Sequence, residues 1–225
     1  VDHRSLALAY VKAMEELAQR YPEDTEASVF YALALDATAL PTDKTYANQL
    51  KAARILEKVF AEQPDHPGVA HYLIHSYDFP PIAAQGLTAA RRYASIAPSA
   101  PHALHMPSHI FTRQGLWEES IEMNRRSAAT SKNHFDSLHA MDYLEYAYLQ
   151  GARDRDAKRV LDEIAAIKKV DREHFVTAYA LAAIPARYAL ERGRWVDAAA
   201  LSPYPNEKDF PWGNFPQGMA ILVYA

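Results

Sequence analysis

The sequence predicts an all-α protein in which antiparallel helix pairs stack into a right-handed superhelix. Ala, Leu, Glu, Arg and Tyr dominate the 225 residues, whereas only 7 are glycine and apolar runs of strand length are scarce. Apolar side chains recur at helical spacing between turn signals. The turn signals themselves recur every 34 to 42 residues, which is typical of a repeated helix-turn-helix unit.

Two series of turn residues divide the chain. The first consists of Pro22, Pro64 and Pro98, and the second of Gly115, Gly151 and Gly193. Glycine commonly ends a helix, so each glycine of the second series predicts a tight turn between two helices.

Between these turns, apolar residues repeat three or four positions apart and predict each helix in order. The earlier helices are marked by Leu6 to Leu17, Val29 to Leu33, Tyr46 to Phe60, His71 to His75, Leu87 to Ile96, His105 to Gly115 and Trp117 to Asn124. Further helices are predicted at about 134–150, 154–168, 173–192 and 195–201, and a last one begins near Pro211.

Composition excludes several classes of function. The net charge is −4 and no basic tract exists, so we expect no nucleic-acid partner. No apolar run approaches the length of a membrane span. The absence of cysteine excludes disulfides, zinc-thiolate sites and thiol catalysis, and it leaves the compartment open between cytoplasm and export.

The two ends of the sequence both look cut. The chain starts at Val1 and stops within the apolar stretch Ile221 to Ala225. We expect residues 1–225 to form a single helical-repeat domain that is truncated at the C-terminus and also at the N-terminus. An apolar edge at Met219 to Tyr224 would then be open to a second copy, which predicts a homodimer as one option.

Two segments resemble the turn and second-helix start of a tetratricopeptide repeat, namely Gly115 to Ile121 and Gly193 to Ala199. The strings His71 to Asp78 and Pro101 to Phe111 resemble a group of bacterial tetratricopeptide-repeat proteins whose biochemical role is unassigned. This resemblance covers nearly the whole chain. It implies that the first helix of each pair lines a concave groove, which binds a peptide, a protein partner or a small ligand.

Two histidine pairs carry the strongest chemical signal. His71 and His75, like His105 and His109, are four residues apart, and the pairs are offset by 34 residues. Each spacing places both imidazoles on one helix face. Helices pack about 8–10 Å apart, so the pairs could converge on one ion with Asp78 as a carboxylate ligand. Such a set favours zinc, iron or copper over calcium or magnesium.

Other interpretations stay open. A metal-free groove would use His102, Tyr72, Tyr77, Tyr143 and Glu145 as polar contacts, and the histidines could also be purely structural. If the protein is an enzyme, which the sequence does not decide, Glu145 is a weak candidate for a general base.

Pro107 interrupts the second histidine pair. A proline removes a backbone hydrogen bond and clashes with the preceding turn. The helix is therefore either kinked at Pro107 or begins there, and the sequence does not choose between these alternatives.

Overall fold

A computed structural model describes residues 2–225, and this part of the chain is helical without a β-strand. The α-helices are α1 His3–Arg20, α2 Thr25–Thr38, α3 Ala47–Glu62, α4 Pro67–Tyr77, α5 Leu87–Ile96, α6 Pro101–His105, α7 Pro107–Arg113, α8 Trp117–Thr130, α9 His134–Gln150, α10 Asp154–Ala165, α11 Phe175–Glu191, α12 Trp195–Ala199 and α13 Pro216–Tyr224. The all-α prediction is confirmed, whereas the superhelix stays a prediction. Within residues 2–225, no helix is both long and apolar enough to cross a membrane.

The first of two compact units contains the residues up to Pro98 together with His109–Gln114. Consecutive helices from α1 to α5 pack against each other, around buried residues such as Ala52, Leu56 and Ile74. Local sequence sets the start of α4, because the imidazole of His66 accepts a hydrogen bond from the Val69 amide and a proline occupies the first turn.

The second unit contains Ser99–Ser108 and Gly115–Ala225. Helix α9 lies at its centre and packs against α8, α10 and α11, while α13 packs against α11. Leu138, Leu144, Ile184 and Trp212 are almost completely buried there. The indole N–H of Trp212 donates to the Pro205 carbonyl oxygen over 2.6 Å, which satisfies the polar edge of this buried ring.

The predicted glycine turns are present. Gly115 and Gly193 have φ values of 67° and 61°, a left-handed conformation that favours glycine. Gly151 is the residue that caps the end of α9, but the left-handed residue of that turn is its neighbour Ala152, with φ 54°.

The structure also resolves the question of Pro107. Helix α6 ends at His105 and α7 begins at Pro107, with Met106 between them in a right-handed helical conformation. His71 and His75 lie within the single unbroken helix α4, whereas His105 and His109 lie on two successive short helices.

Candidate histidine sites

The first histidine pair forms a close contact in the first unit. The Nε2 atoms of His71 and His75 are 2.9 Å apart, and their ring centres are 4.8 Å apart. Tyr93 lies beside this pair, with its hydroxyl 3.4 Å from Nδ1 of His71. Tyr72 packs its ring against that of His71 at 5.5 Å. Helix α4 therefore presents two imidazole nitrogens at one point.

Asp78 directly follows α4 and holds the side chain of His109. Its Oδ2 atom is 2.8 Å from Nδ1 of His109, and its Oδ1 atom accepts from Nε of Arg113 over 2.8 Å. Burial raises the pKa of Asp78, but the hydrogen bonds and charges of His109 and Arg113 outweigh it and hold that pKa below its usual range. The ionised carboxylate therefore accepts from Nδ1–H of His109, which fixes the orientation of that ring.

The ring centres of His75 and His109 are 6.3 Å apart in the same unit. The predicted metal ligands His71, His75, Asp78 and His109 thus all lie in the first unit, but Asp78 orients a histidine and pairs with Arg113. Tyr77, expected as a groove contact, is buried and donates to Oε1 of Glu57 over 2.6 Å.

His105 belongs to a polar cluster of the second unit. It is only 2% exposed, and its Nδ1 atom is 2.7 Å from Oδ1 of Asn124. The amide nitrogen of Asn124 donates to the Ser120 carbonyl oxygen over 2.8 Å, which fixes the amide orientation. Asn124 Oδ1 must then accept from Nδ1–H of His105, which fixes the orientation of this ring.

Aromatic rings surround His105 within the second unit. The ring centre of His139 lies 4.3 Å from that of His105, Tyr143 meets the same ring edge-on at 4.9 Å, and His102 lies at 6.4 Å. The predicted residues His102, His105 and Tyr143 are therefore neighbours. The sequence missed Asn124 as the residue that orients His105, because an asparagine at a helical core spacing has no distinct signature.

Glu145 belongs to a buried ion-pair network of the second unit. Its Oε2 atom accepts from Nη1 of Arg187 over 3.0 Å, and the same nitrogen donates to Oδ1 of Asp142 over 2.9 Å. Burial raises the pKa of Glu145 to about 8, although the charge and hydrogen bond of Arg187 lower it. Its other oxygen, Oε1, is buried without a hydrogen-bond partner among the described residues. The role of Glu145 as a general base stays a prediction.

Arg187 is the member of this ion-pair network that the sequence analysis did not predict. It lies on α11, whose other residues are almost entirely apolar or small up to Glu191. A lone arginine in such a helix does signal a buried anionic partner, because an unpaired buried charge is very costly. The partners, more than 40 positions earlier in the chain, could not be identified from that signal.

No protein-family model, curated protein or solved structure matches this chain. The two histidine sites therefore rest on their geometry alone.

Proposed function

We propose that this helical protein binds a transition-metal ion in its first unit through His71 and His75, with His109 as the third ligand. The 2.9 Å separation of the two Nε2 atoms carries the proposal. Two imidazoles that bind one tetrahedral zinc ion at about 2.0–2.1 Å have their nitrogens roughly 3.3 Å apart. A small rotation of either side chain of α4 would reach that value.

The surroundings of His109 support its part in the site. Histidines that bind metals commonly donate their second ring N–H to a carboxylate, which sets the tautomer and the ring orientation. Asp78 accepts such a bond from Nδ1 of His109. Because the ring centre of His109 is 6.3 Å from that of His75, the third bond requires His75 and His109 to turn towards each other.

The position of the pair on α4 also favours a cation. The helix ends at Tyr77, so His75 lies in its last turn and His71 one turn earlier. The carbonyl end of a helix carries a partial negative charge that favours positive charge nearby. Three imidazole ligands would leave a fourth position for water or a bound ligand, as in catalytic zinc sites.

The experiment is a calorimetric titration of chelator-treated, untagged protein with zinc and then copper at pH 7.5. We expect one ion per chain, and at least 100-fold weaker binding in His71→Ala and in His75→Ala. Asp78→Asn should weaken binding roughly 10- to 100-fold, because it removes the carboxylate that orients His109. The control is His3→Ala, which removes an exposed histidine of α1 and should leave binding unchanged.

Two results would contradict the proposal. One is a metal affinity that is equal in the wild type and in the variant lacking both His71 and His75. The other is binding that survives in this double variant but is lost in His105→Ala, which would assign the metal to the cluster of the second unit.

A metal-free binding role is the second candidate. The contact of 2.9 Å between His71 and His75 is also the length of a hydrogen bond between two neutral imidazoles. In that case the polar surface formed with Tyr72 would bind a peptide, a protein partner or a small molecule. The absence of metal binding in the titration, together with a folded and stable protein, would favour this candidate.

A further inference from the structure

A cavity of about 330 Å³ lies in the first unit beside the histidine pair. Its walls come from α2, α3 and the end of α4, and it is lined by Leu33, Asp36, Ala37, Gln49, His75 and Phe79. The volume falls in the range of small-molecule sites, which are mostly apolar and carry a few convergent polar groups. Asp36 and Gln49 supply such groups on opposite helices.

Two oxygen atoms of this lining lack hydrogen-bond partners. Oδ1 of Asp36 and Oε1 of Gln49 are both buried without a partner among the described residues. Gln49 is only 6% exposed. Buried polar atoms are almost always paired, because an unpaired one loses its hydrogen bonds to water without replacement. The other carboxylate oxygen of Asp36 accepts from the Ser76 hydroxyl over 2.6 Å.

These atoms define the chemistry that would fit. When Asp36 is ionised, both unpartnered atoms are acceptors, so a ligand that fits them donates hydrogen bonds. No arginine or lysine lines the cavity to balance the carboxylate of Asp36, and Phe79 adds an aromatic ring that can contact a cation. Asp36 is largely buried and lies in the cavity wall together with Gln49.

We propose that this cavity binds the ammonium group of a small primary amine, with Asp36 and Gln49 as acceptors and Leu33 and Phe79 against its apolar part. The proposal goes beyond metal binding at the histidines and does not depend on it. An ammonium ion supplies three N–H donors, so one group can serve both orphaned oxygens.

The test is a nuclear magnetic resonance titration of the full chain with n-butylammonium at pH 8, in the presence of a chelator. Burial raises the pKa of Asp36 to about 7, so pH 8 keeps most of this carboxylate ionised. We expect saturable shifts of the amide signals around Asp36, Gln49 and Phe79. Neutral n-butanol, which offers a single donor and no charge, should bind at least tenfold more weakly.

Variants complete the test. Asp36→Asn should weaken n-butylammonium binding by roughly 10- to 100-fold, since a hydrogen bond to a charged group is lost. Gln49→Leu should weaken it by a smaller factor. Asp43→Asn, at a half-exposed aspartate between α2 and α3 that does not line the cavity, is the matched control and should have no effect. Equal binding of amine and alcohol, equal binding by Asp36→Asn and wild type, or no saturable shifts would each overturn the proposal.

Discussion

Asp36→Asn should make the protein more stable at neutral and alkaline pH. Asp36 is largely buried against Ser76, and no cation is hydrogen-bonded to it. Burial raises its pKa from 3.8 to about 7, and the Ser76 hydrogen bond only partly offsets this. The folded state therefore prefers the neutral acid. Asparagine is neutral at every pH and retains an oxygen that can accept from Ser76.

The size of the effect follows from proton linkage. A difference of about three pKa units between the folded and unfolded states corresponds to roughly 4 kcal/mol, at about 1.4 kcal/mol per unit. Because Asp36 is partly exposed and can relax, we expect about 2–4 kcal/mol. Because the pKa of Asp36 is higher in the folded state than in the unfolded state, ionisation of this carboxyl group destabilises the folded protein. The contribution of Asp36 to the free energy of unfolding of the wild type is fully present below pH 4. It is lost as the pH rises from 4 to 7 and changes no further above 7.

The assay is urea unfolding of wild type and Asp36→Asn at pH 4.5 and at pH 8. The two proteins should differ little at pH 4.5, and the variant should be more stable by about 2–4 kcal/mol at pH 8. Asp43→Asn is the control with the opposite sign, because hydrogen bonds from Thr45 lower the pKa of Asp43. A difference between wild type and Asp36→Asn that does not vary with pH, or a variant that is less stable at pH 8, would refute the reasoning.

Three further predictions concern other contacts. Arg187→Ala should destabilise the protein by about 3–5 kcal/mol at pH 7 in denaturant titrations, whereas adding Glu145→Gln should restore part of that loss. Gly86→Ala should cost about 1–3 kcal/mol and lower the melting temperature, because a Cβ atom would lie 2.9 Å from Cδ1 of Ile110. Asp78→Asn should cost about 1–3 kcal/mol at pH 7, and this difference should shrink as the pH falls below 4, where the wild-type carboxylate becomes protonated.

The helices were predictable because their signals are local. Turn residues and apolar spacing predicted α9 at 134–150, and the structure places it at His134–Gln150. The predicted helix at 195–201 is also present, though it is shorter and ends at Ala199. In contrast, the sequence could not reveal the bond between Asp36 and Ser76, because these residues are 40 positions apart and meet only when α2 packs against α4.

The spacing of the histidines in the sequence predicts their positions on a helix but not the hydrogen bonds of their ring nitrogens. A separation of four residues predicts that two imidazoles lie on the same helix face, and α4 brings His71 and His75 together as that rule implies. The spacing says nothing about which ring nitrogen keeps its lone pair, since that depends on the partner of the other nitrogen. His109 is oriented by a carboxylate 31 positions earlier, and His105 by an amide 19 positions later.

This difference in partners has a consequence for the two histidine sites. Asp78 is ionised, so His109 has a negatively charged hydrogen-bond partner. Asn124 is neutral and gives His105 orientation without charge, in a position that is almost completely buried. The first unit therefore places a carboxylate beside its histidine, whereas the partner of His105 carries no charge. Two pairs with the same spacing in the sequence thus acquire different chemistry from residues that lie outside the pairs.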